Sequence, residues 1–82
     1  MGKDKRNILY VDDEVNNLTA FVATFRRNFN VYTATSGREG MEIMRRNNIQ
    51  IVITDQRMPE MTGVQFLESI IPEYPNTIRM SL

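Results

Sequence analysis

Apolar residues occur along this chain in two alternating rhythms. Short runs rich in β-branched residues, Ile8–Val11, Val31–Thr35, Ile49–Thr54 and Thr77–Leu82, read as strands. Between them, apolar residues recur every three or four positions, as on one face of a helix. Val15, Leu18, Val22, Phe25 and Phe29 predict a helix over Val15–Phe29, and Asn16, Asn17, Arg26 and Arg27 fall away from that stripe. Gly40, Met41 and Met44 predict the inner face of a helix over Gly37–Asn47. Ser36 is a good N-cap for it, with Glu39 in capping-box position. Val64, Leu67, Ile70 and Ile71 predict a third helix, Val64–Ile71, which Pro72 and Pro75 end. The order is β-α-β-α-β-α-β. Strands alternating with helices imply right-handed crossovers and a mostly parallel, doubly wound α/β sheet.

The polar residues that interrupt this pattern carry the chemistry. The first strand stops at Asp12-Asp13-Glu14, and the third stops at Asp55. In a parallel sheet these carboxyl ends share one edge, the edge where open α/β sheets bind ligands. If the two strands are neighbours, Asp12, Asp13 and Asp55 converge. Like charges that close raise one another's pKa values, and a divalent cation relieves the repulsion. Oxygen ligands alone suit Mg²⁺ or Mn²⁺. A carboxylate there can also attack phosphorus and form an aspartyl-phosphate. Simpler readings stand beside these. Asp12-Asp13 can be an N-cap cluster, and Asp55 a turn residue. Arg57 can pair with a neighbouring carboxylate. Glu60 and Thr62 read as exposed loop residues, and the methionines as core filler.

Composition narrows the choice. The 82 residues form at most one small domain. Ten Lys and Arg balance ten Asp and Glu. That balance gives no electrostatic footprint for nucleic acid or an anionic membrane. The absence of cysteine excludes disulfides and thiolate chemistry. The absence of histidine removes the commonest general base and any phosphohistidine of the chain's own. No apolar run approaches the ~20 residues that span a bilayer. The expected location is the cytoplasm.

Ile8-Leu-Tyr-Val-Asp-Asp-Glu14, followed by Asp55-Gln-Arg-Met-Pro-Glu-Met-Thr-Gly63, resembles the receiver domain of bacterial two-component response regulators. The resemblance covers the chain from about Lys5 onward, and Tyr74-Pro75 fits it. It implies a flavodoxin-like (CheY-like) fold with strand order 2-1-3-4, lacking the fifth strand and the last two helices. It implies that Asp55 accepts a phosphoryl group from a sensor histidine kinase or phosphotransfer protein. By position, Asp13, Asp55 and the backbone carbonyl of Arg57 would hold Mg²⁺, and Asp12 would act mainly through water. Any enzymatic activity would be limited to self-catalysed phosphoryl transfer and hydrolysis of the aspartyl-phosphate. Met58 would pack under the loop that Pro59 and Gly63 shape. The family's Thr or Ser after the fourth strand and Lys after the fifth have no match here, since Ser81 comes too early. The expectation is therefore a receiver spanning 1–82, incomplete at its C-terminus and without an output domain. The alternative is a truncated receiver that cannot signal and self-associates or exchanges strands through its fourth-strand edge.

Overall fold

The computed structural model describes residues 5–55 and 62–82. Its elements follow the expected order: β1 (Arg6–Val11), α1 (Val15–Phe25), β2 (Phe29–Ala34), α2 (Gly37–Arg46), β3 (Ile51–Thr54), α3 (Gly63–Ile70) and β4 (Ile78–Ser81). The strands form one parallel sheet in the order β2-β1-β3-β4. This is the doubly wound, CheY-like arrangement that the resemblance implies.

Successive residues of β1 point to opposite faces. The ring of Tyr10 stacks on Phe21 of α1. Leu9 and Val11 face the other way, into a core with Ala34, Met44, Val52, Phe66 and Ile70. Helix α1 therefore covers one face of the sheet, and α2 and α3 cover the other. Gly40 permits the close approach of those two helices. A Cβ at Gly40 would lie 3.0 Å from Cζ of Phe66 and 3.2 Å from Cγ2 of Val11.

Several boundaries differ from the sequence reading. Helix α1 ends at Phe25, and Phe29 opens β2 instead of closing the helix. A turn in which the Asn28 N–H bonds the Phe25 carbonyl, 3.1 Å, intervenes. Phe25 and Phe29 still meet edge to face, with centroids 6.1 Å apart. Their helical spacing thus reports a contact that a turn makes just as well. Strand β1 begins earlier, at Arg6, because its pairing with β2 starts at Arg6 opposite Phe29. Strand β3 begins later, at Ile51. Just before it, the Gln50 side-chain carbonyl accepts the Asn7 N–H, 2.6 Å. Ile49 is buried in the core all the same.

The inner face of α3 is also turned relative to expectation. Phe66 and Ile70 are fully buried, while Val64 and Ile71 are exposed. The helix start sets that phase. Thr62 is the N-cap, and its hydroxyl accepts the Gln65 N–H while the Gln65 side chain accepts the Thr62 N–H. Thr62 is thus a capping residue, and Gly63 is the first residue of α3. In α2 the Ser36 hydroxyl accepts the Glu39 N–H as expected, 3.1 Å. The Glu39 carboxylate bonds the Thr35 N–H, 2.6 Å, one residue further back than in a capping box. Arg45 and Arg46 pair with Glu42 on the exposed face of α2. Among the described residues no helix is long and apolar enough to cross a membrane.

Candidate functional site

The site follows from the register of the two central strands. Val11 of β1 lies opposite Thr54 of β3, so the residues after them emerge side by side at one edge. Two backbone bonds carry the ladder one step beyond the strands. The Asp12 N–H bonds the Ala34 carbonyl at 3.0 Å, and the Asp55 N–H bonds the Val11 carbonyl at 2.9 Å. Both aspartates are thereby fixed by neighbouring strands. Carboxylate oxygens of Asp12, Asp13 and Asp55 lie within 4.8 Å of one another. The three residues grade from buried through half-buried to exposed, in the order Asp12, Asp55, Asp13.

Asp12 is only 1% exposed, yet it is well supplied with donors. The Tyr10 hydroxyl donates to Oδ2 at 2.6 Å, and the Asn17 amide donates to the same oxygen at 2.9 Å. The Glu14 N–H donates to Oδ1 at 2.9 Å. Burial pushes the Asp12 pKa up, but the bonds from the Tyr10 hydroxyl, the Glu14 N–H and the Asn17 amide outweigh it, and the net shift is downward. Convergence of like charges suggests a raised value, and at Asp12 the structure gives the reverse, because directed donors stabilise the anion. Burial, the bond to Asp12 and the charges of Asp12 and Asp55 push the Tyr10 hydroxyl above its ordinary range.

The N-cap reading of the acidic pair does not hold. Glu14 occupies the N-cap position of α1, and no side chain caps that end. The Glu14 N–H that Asp12 accepts belongs to the N-cap residue itself, outside the first turn. Arg57, Met58, Pro59 and Glu60 lie outside the described residues. Ser81 is exposed and lies opposite Thr54 in the β3–β4 pairing.

Two site residues escape the sequence reading. Tyr10 precedes Asp12 by two positions in a strand and so shares its face. That spacing was the available signal. Asn17 falls off the apolar stripe of α1, as expected, but it turns toward Asp12. Three converging carboxylates, with all-oxygen donors, suit a hard divalent cation. Neither histidine nor cysteine occurs in the chain to bias the site toward zinc.

An open parallel sheet with acids at the carboxyl ends of its two central strands defines a class of doubly wound α/β domains whose ligand edge is acidic. Within that class, the family model described as the response regulator receiver domain matches residues 8–82, and the chain belongs to that family. It is similar to the hydrogenase transcriptional regulatory protein HoxA of Cupriavidus necator, with 32% identity over 80 residues. That match covers 98% of this chain and 17% of HoxA. It is also 38% identical over 71 residues to the transcriptional regulatory protein ZraR of Escherichia coli K12, covering 85% of this chain and 16% of ZraR. The chain thus spans about a sixth of the length of these curated relatives. Among solved structures, the chemotaxis protein CheY4 of Vibrio cholerae superposes with a TM-score of 0.91 at 26% identity. The superposition covers 95% of this chain and 68% of CheY4.

Proposed function

We propose that this receiver is the phosphoacceptor of a two-component relay and that Asp55 takes the phosphoryl group. The reading rests above all on the convergence of Asp12, Asp13 and Asp55 at the edge shared by β1 and β3. The donor would be the phosphohistidine of a sensor kinase or of a phosphotransfer protein. An Asp55 carboxylate oxygen forms the new P–O bond as the P–N bond to the donor imidazole breaks. The imidazole leaves with the bonding pair and takes up a proton, and Asp55 becomes an acyl phosphate. Hydrolysis by water returns the carboxylate and inorganic phosphate.

Asp13 and Asp55, with the backbone carbonyl of Arg57, would hold Mg²⁺, and Asp12 would act on it through water. The bound cation would neutralise charge gathering on the carboxylates and the phosphoryl oxygens. The chain's own contribution is positioning. The backbone bonds of Asp12 and Asp55 to neighbouring strands hold the carboxylates at one edge. The donors around Asp12 keep it anionic. The proposed setting is the cytoplasm, where kinase and phosphotransfer partners meet receivers, and the proposed domain extends over residues 1–82.

The test is incubation with a small phosphodonor and Mg²⁺, followed by intact mass spectrometry. The wild-type chain should gain one phosphoryl group, and Asp55→Asn none. A wild type without adduct, or an equal adduct on Asp55→Asn, overturns the proposal.

A further inference from the structure

We propose that Tyr10 is a positioning residue that sets which divalent cation the acidic edge accepts, by reserving one oxygen of Asp12. The inference rests on the cation-binding part of the function proposed above.

A carboxylate offers about four lone-pair directions, two on each oxygen. On Asp12, Oδ2 accepts from both Tyr10 and Asn17, so its two directions are taken. Oδ1 accepts the Glu14 N–H and keeps one direction open. Asp12 therefore presents a single oxygen to a cation or to a water on that cation. It cannot chelate through both oxygens.

The two donors to Oδ2 differ in how firmly they stand. Asn17 is an exposed residue on the first turn of α1 and can turn aside. Tyr10 is only 5% exposed. Its ring stacks on Phe21 with centroids 4.4 Å apart and an interplanar angle of 18°. Phe21 in turn packs on Phe25, centroids 4.6 Å apart. The strand backbone and this aromatic column hold the hydroxyl on Oδ2. An alternative that swings Tyr10 away would leave a phenol buried without a partner.

Restricting Asp12 in this way discriminates by coordination chemistry. Mg²⁺ takes six ligands at short range and keeps several waters, so it tolerates an acid that reaches it through one oxygen or a water. Ca²⁺ takes more oxygens and favours two-oxygen chelation by carboxylates. Loss of the Tyr10 hydroxyl frees Oδ2 and gives Asp12 both oxygens. The preference then moves toward the larger ion.

The experiment is calorimetric titration of the full chain with Mg²⁺ and with Ca²⁺ at one pH, for wild type, Tyr10→Phe and Phe21→Leu. Circular dichroism confirms that each variant is folded. Tyr10→Phe should lower the ratio of Mg²⁺ to Ca²⁺ affinity by about tenfold, the scale on which groups behind metal ligands act. Phe21→Leu loosens the ring but keeps the hydroxyl and the strand backbone that carries it, so its ratio should fall clearly less than that of Tyr10→Phe, and it serves as a second variant should the first fail to fold. A ratio in Tyr10→Phe equal to wild type overturns the inference and leaves the proposed function standing. An equal fall in both variants also overturns it, because ring packing and not the hydroxyl would then be responsible. A wild type that binds neither ion overturns this inference together with the function it rests on.

Discussion

Strands β1 and β4 are both short, parallel and apolar in pattern, but they have opposite fates. From Ile8 to Asp12 every residue of β1 and its extension is buried. In β4, Ile78 is 52% exposed and Met80 47%. The cause is position in the sheet. Strand β1 has β2 and β3 on its two sides and helices on both faces. Among the described residues, strand β4 is the last in the order and pairs only with β3. The difference bears on where the proposed chemistry can sit. The end of β1 is held by hydrogen bonds to both neighbours, so a carboxylate placed there has a fixed position. The end of β4 is tied on one side, where the Leu82 N–H bonds the Thr54 carbonyl.

The largest effect should come from truncating the buried strand. Leu9 is fully buried in the main core. Leu9→Ala removes three carbons from a close-packed site and should cost about 3 kcal/mol or more. Met80→Ala on β4 should cost less than about 1 kcal/mol, as expected where a side chain is half-exposed. Urea denaturation of both variants measures the contrast. Similar losses would mean that β4 is buried in solution, and the distinction between the strands would fail.

A smaller effect should follow from crowding the packing behind β1. Valine at Gly40 places methyl groups where even a Cβ already crowds Phe66 and Val11. Gly40→Val should cost about 1–3 kcal/mol by overpacking. Ile78→Val on the exposed strand should change stability by less than about 0.5 kcal/mol. An unchanged Gly40→Val would show that α2 can lift away from β1, and that the central strand is less tightly enclosed than β4's exposure makes it look.

The sheet was legible because each strand carries its own local signal and the crossover rule orders them. The acids were legible too, since Asp12-Asp13 and Asp55 each end an apolar run. What the pattern hid depends on the third dimension. Phe29 fits a helical stripe and belongs to a strand, because periodicity records a contact and not the path that makes it. Val64 and Ile71 look like core residues. The cap at Thr62 sets the rotation of α3, and Phe66 takes the space beside Gly40 instead. Tyr10 reads as one more apolar strand residue. Its hydroxyl gains meaning only through the 2.6 Å bond to a carboxylate two positions on. The direction of the Asp12 shift was hidden for the same reason, since it is decided by donors from Tyr10, Asn17 and the Glu14 backbone.

The smallest effect tests whether the end of β1 gives up stability for the chemistry proposed there. Asp12 has three donors to stabilise its charge, whereas Asp13 is exposed beside two other carboxylates. Removing the Asp13 charge relieves repulsion, and solvent screens much of it. In chelator-containing buffer, Asp13→Asn should therefore be more stable than wild type by about 0.5 kcal/mol. Mg²⁺ should reverse the ranking. At ten times its dissociation constant, a ligand specific to the native state adds about 1.4 kcal/mol. Wild type should gain that amount, and Asp13→Asn, short of a ligand, far less. Urea midpoints with chelator and with Mg²⁺ give both comparisons. If Asp13→Asn is the less stable form in chelator, the acids do not strain the fold, and the end of β1 is held at no expense. If Mg²⁺ stabilises both forms equally, Asp13 is not a ligand, and the cation is held by Asp55 and Asp12 without it.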